Sequence, residues 1–157
     1  MVAPGETDLA AMLANLAVTR RPGTYRYVEL ADPDPANLPA ILGVAEAMVR
    51  EGGTTTLVVR AAAGPGADGS ADIAGEPPEG SVLDVAWLTL TVPSSLEAVG
   101  LTAAVSAALA AAGIPCNVLA GVRHDHLLVP VERADDAVRV LVADARSTPA
   151  SRPADGR

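Results

Sequence analysis

The chain has no phenylalanine and no lysine, one cysteine, two histidines, and only Trp87, Tyr25 and Tyr27 as aromatic residues. Any core must therefore be built from Ala, Val and Leu, and 32 of the 157 residues are Ala. The lone Cys116 excludes an intrachain disulfide and fits a reducing compartment. Without lysine, all 11 basic residues are Arg, scattered against 19 acidic residues for a net charge of -8. Nucleic-acid binding needs clustered cations to displace counterions and aromatic platforms to stack bases, and the sequence offers neither. Glu6 and Asp8 stand where a leader would carry a basic region, so no signal peptide is expected. The longest Ala-rich stretch, residues 101–113, is too short to cross a bilayer. These absences point to a cytoplasmic protein with no membrane or nucleic-acid partner.

Half of the residues are apolar, enough to bury a core in a chain of this length. Residues 61–81 hold Gly64, Pro65, Gly66, Gly69, Gly75, Pro77, Pro78 and Gly80, a density of breakers that predicts a linker. The organisation expected is an N-terminal half over 1–63, a linker over 64–81, a C-terminal domain over 82–146 and a disordered tail over 147–157.

In the first half, Thr7 is placed to cap a helix with Leu9, Met12, Leu13 and Leu16 on one face, ending at Pro22-Gly23. A strand over 24–30 follows. Asn37 then caps a second helix carrying Leu38, Ile41, Leu42, Ala45, Met48 and Val49, stopped by Gly52-Gly53. Residues 54–60 are rich in β-branched side chains and read as a strand. In the second half, residues 85–92 form a buried strand closed by Pro93. A helix over 101–112 stops at Gly113. Short strands over 117–120 and 125–129 come next, and a last helix over 135–145. Strand, helix, strand, strand, helix is an antiparallel α+β unit of the ferredoxin-like βαββαβ kind, short of its final strand. The first half has strands and a helix to spare and is the expected source of the missing one.

Few residues carry chemistry. On a strand, His124 and His126 share one face and Asp125 takes the other. Two imidazoles are half a transition-metal site, and zinc takes three or four ligands; no further Cys/His cluster exists to complete it. Ser94, Ser95 and Cys116 are the possible nucleophiles. No G-x-S-x-G places a serine on a strained elbow, and Cys116 after Pro115 reads as packing. G-x-G-x-x-G and G-K-S/T are also absent, so phosphate cradles of those kinds are excluded. Neither a catalytic residue nor a metal or other cofactor is expected. The loop over 94–101 is more informative. It sets two hydroxyls, Glu97 and Gly100 ahead of a helix whose first N–H groups have no internal partners. Such a helix start attracts a carboxylate, and Asn117 offers both a donor and an acceptor. Simple capping by a serine accounts for the same residues equally well.

Three blocks carry a family resemblance. They are residues 87–103 from Trp87-Leu88-Thr89 through Pro93-Ser94-Ser95-Leu96 to Gly100-Leu101-Thr102-Ala103, then Ile114-Pro115-Cys116-Asn117-Val118, and His124-Asp125-His126-Leu127-Leu128-Val129-Pro130. In this order they resemble small bacterial tandem ACT-domain proteins, whose modules are similar to the regulatory modules of aspartate kinases. Pro22-Gly23-Thr24-Tyr25 and Glu51-Gly52 extend the likeness more loosely into the first half. Pro93 and Val122-Arg123 depart from the family pattern, which has a histidine and an aromatic pair there. The resemblance implies two ACT modules with antiparallel sheets and helices on one face. It also implies a regulatory protein without catalytic activity that binds a free amino acid, as a homodimer. The ligand site it implies comprises Ser94, Ser95, Val99, Gly100, Leu101, Asn117 and Val118; His124 and His126 join the ligand-binding candidates on their own reading, as strand-entrance histidines that hydrogen-bond backbone or face a ligand or partner chain. Two rivals remain: an enzyme, metal-dependent or nucleophilic, centred on His124 and His126, and an assembly module with a vestigial pocket.

Overall fold

The computed structural model describes residues 8–31, 35–61, 83–92 and 99–147. The proposed linker, and the tail apart from Ser147, lie outside those residues. The chain divides into two compact units, one formed by Met1–Arg21 with Trp87–Arg157 and the other by Pro22–Ala86.

The unit Pro22–Ala86 holds β2 (Tyr25–Ala31), α2 (Leu38–Val44), β3 (Ala45–Glu51) and β4 (Thr54–Arg60). Its strands lie in the order β3-β4-β2, and both pairings are antiparallel. Asp84 and Val85, at the start of β5 (Asp84–Thr91), extend the sheet by pairing with Arg26 and Tyr25 of β2. Val28, Leu30, Leu57 and Val59 alternate along β2 and β4 onto one face, where they form a core with Ile41 of α2.

Here the expected second helix is corrected. It ends at Val44, and Met48 and Val49 lie on β3, largely exposed, rather than on a buried helical face. The breaker pair decides this. Gly52 and Gly53 adopt φ of 51° and 118°, the left-handed backbone of a two-residue hairpin turn. Thr54–Arg60 then folds back on the preceding residues, so the outer backbone groups of β4 find partners in β3. Asn37 precedes α2 but makes no side-chain capping bond.

The other unit contains α1 (Leu9–Ala14), β1 (Ala17–Arg20), the remainder of β5, α3 (Leu101–Ala111), β6 (Asn117–Ala120), β7 (Asp125–Pro130) and α4 (Ala134–Ser147). Thr7 lies outside the described residues; the cap of α1 is Asp8, whose carboxylate accepts the Ala11 N–H at 2.8 Å. The first helix stops at Asn15, well before Pro22-Gly23, because residues 17–20 are needed elsewhere. They pair antiparallel with β5, Ala17 opposite Thr91 and Arg20 opposite Leu88. This is the strand that the C-terminal βαββα segment lacks. As expected it comes from the first half, and it completes the order β1-β5-β7-β6 in this unit.

The C-terminal helices follow their sequence signals closely. Gly113, at φ 64°, donates to Ala110 and Ile114 donates to Leu109, a Schellman stop for α3. Alternation in β5 and β7 buries Leu88, Leu90, Leu127 and Val129. Met12, Leu13, Val105, Leu109, Ala137 and Leu141 are buried on the helices. Helix α4 packs on β1, β7, α1 and α3, and Arg20 reaches its first turn to pair with Asp135 at 3.1 Å.

Candidate ligand sites

The start of α3 is set by Gly100. Its φ of 104° is strained for any residue with a side chain, and a Cβ there would stand 2.9 Å from Leu9 Cδ2. Gly100 caps the helix with backbone alone, and its carbonyl accepts the Ala104 N–H at 2.8 Å. Leu101 is buried beneath the helix while Val99 is 82% exposed. Ser94 and Ser95 lie outside the described residues.

Asn117 opens β6 opposite Leu128, with its side chain exposed, and Val118 beside it is half-buried. A strand–helix–strand connection runs back along the first strand before the second begins. Asn117 therefore sits at the end of the sheet where β5 starts, and Gly100 follows the end where β5 stops. A single ligand touching both takes one of them from a second module.

The histidines fall in a different place. Gly121, whose N–H donates to the His124 carbonyl at 3.0 Å, closes a tight turn through Val122 and Arg123. A Cβ on Gly121 would stand 2.8 Å from that carbonyl oxygen and 3.5 Å from His126 Nε2, so glycine lets the turn close against the imidazole. His126 Nδ1 is 3.1 Å from Thr89 Oγ1, and its ring centroid is 5.3 Å from that of Trp87. The Arg21 guanidinium carbon also lies 4.6 Å from the indole ring centroid. The Arg21 N–H donates to the Trp87 carbonyl at 2.8 Å, which fixes its strand position. Burial holds the His126 pKa below its usual value, with further lowering from the positive fields of His124 and Arg21 and a smaller opposing pull from Asp125.

The structure thus joins His126 to Arg21, Trp87 and Thr89, three residues that the sequence reading did not single out. Thr89 and Trp87, two apart in an apolar strand, were the available signal. Among the described residues, no three His, Cys, Asp or Glu side chains gather to hold a metal ion. Cys116 is half-buried just before β6, where the Ser106 hydroxyl bonds to it; burial raises its thiol pKa.

Both units are three-stranded or four-stranded antiparallel sheets with helices packed on them, an α+β architecture. The ACT-domain family matches twice, over residues 82–143 and over residues 4–67. The chain belongs to the ACT-domain family and carries two ACT modules. The matched spans and the compact units divide differently, since residues 8–21 fall in the match over 4–67 but pack with the C-terminal module. A protein of unknown function from Vibrio cholerae, described as a possible transport protein, is 31% identical with a TM-score of 0.68, over 87% of this chain and 95% of that one. A protein from Agrobacterium tumefaciens is similar at 17% identity and a TM-score of 0.58, over 83% and 89% of the two chains. The regulatory subunit of aspartate kinase from Thermus flavus shares the fold at 14% identity and a TM-score of 0.54, over 82% and 95%. A search of curated proteins finds no match. No described helix is long and apolar enough to cross a membrane.

Proposed function

We propose that this protein is an amino-acid sensor that regulates a separate partner and has no catalytic activity of its own. The reading rests on the paired ACT modules, because the related fold serves as a regulatory subunit of aspartate kinase. Within the C-terminal module, the ligand carboxylate takes the N-terminus of α3, contacted by Ser94, Ser95, Val99, Gly100 and Leu101. Its amino group takes Asn117 beside Val118. Since these groups lie at opposite ends of one module, the site forms between two copies in a homodimer. A ligand held by both copies shifts their packing equilibrium, which is the basis of regulation. His124 and His126 face ligand rather than metal. Acidity, a single thiol and scattered arginines favour a cytoplasmic role without a nucleic-acid partner.

The test is thermal unfolding of chelator-treated protein against the twenty amino acids and then divalent metals. At a hundredfold excess over Kd, a ligand adds about 2.7 kcal/mol of stability, a shift of several degrees. A shift with one or two amino acids, lost in Asn117→Ala, supports the sensor. A shift with metal alone replaces it with a histidine metal site, and no shift leaves an assembly module.

A further inference from the structure

We draw no further inference here: the strongest candidate, the outer edge of β3 where Met48 and Val49 are exposed, carries nothing because nothing among the described residues shows what covers it.

Discussion

If α1 and β1 belong to the C-terminal module, a cavity in α1 must weaken that module. Met12 is the sharpest place to ask, because its side chain is wholly buried and it sits 75 residues before the unit's only indole, at Trp87. Met12→Ala deletes a buried thioether chain and leaves a void that the surrounding helices fill only in part. Substitutions of this kind cost about 2–5 kcal/mol. Against a total stability of about 5–15 kcal/mol for a domain, that is a large fraction. With a urea slope of about 1–3 kcal/mol per molar, the midpoint drops by about 1–2 M. The assay is urea unfolding followed by Trp87 emission, paired with amide exchange across both units. Met12→Ala should accelerate exchange in β6 and β7, while Leu57→Ala, equally buried in the other unit, should accelerate it in β2 and β4. The placement of the N-terminal segment is refuted if Met12→Ala costs less than about 1 kcal/mol. It is refuted equally if the lost protection falls on residues 25–60 instead.

Gly53→Ala should destabilise by about 1–2 kcal/mol in urea unfolding, since φ of 118° excludes a Cβ, whereas Gly52→Asn at φ of 51° should change little. Burial raises the Cys116 thiol pKa above its usual value despite the Ser106 hydroxyl, so alkylation at neutral pH should run slower than for a free cysteine peptide. Removing that hydroxyl in Ser106→Ala should slow it further. His126 is less basic folded than unfolded, where its pKa is near 6.5, so the unfolded chain binds the extra proton. Its contribution to stability is therefore full above that pH and is lost as pH falls through 6.5 towards the lower folded pKa. Thermal unfolding from neutral to mildly acid pH should show a steeper loss for wild type than for His126→Gln.

The sequence reading succeeded where one local signal and the tertiary demand agree. The strand over 54–60 and the strand over 117–120 match β4 and β6 to the residue, and Gly113 stops α3 as expected. It failed at β1 and β3, where helical spacing of apolar residues competes with pairing across the chain. Residues 45–49 satisfy a helical repeat, but a β4 already committed by its β-branched side chains needs an antiparallel partner, and Gly52-Gly53 supplies the turn. Residues 17–20 look like the end of α1 because their partner, β5, lies about seventy residues downstream; no window of local pattern contains it.

The same limit governs the site. His124-Asp125-His126 is visible as a triplet because its members are neighbours in the chain, but β7 begins at Asp125, so period two separates Asp125 from His126 and does not reach His124. Arg21, Thr89 and His126 are 68 and 37 residues apart, and only the pairing of β1 with β5 gives Arg21 its place beside Trp87. Because Arg21 immediately follows the strand borrowed from the first half, its contact with Trp87 depends on that borrowing. A module cut at residue 82 would lack its edge strand, and Arg21 with it. The contact of Arg21 with Trp87 is therefore a property of the tandem chain, and the C-terminal match alone does not encode it.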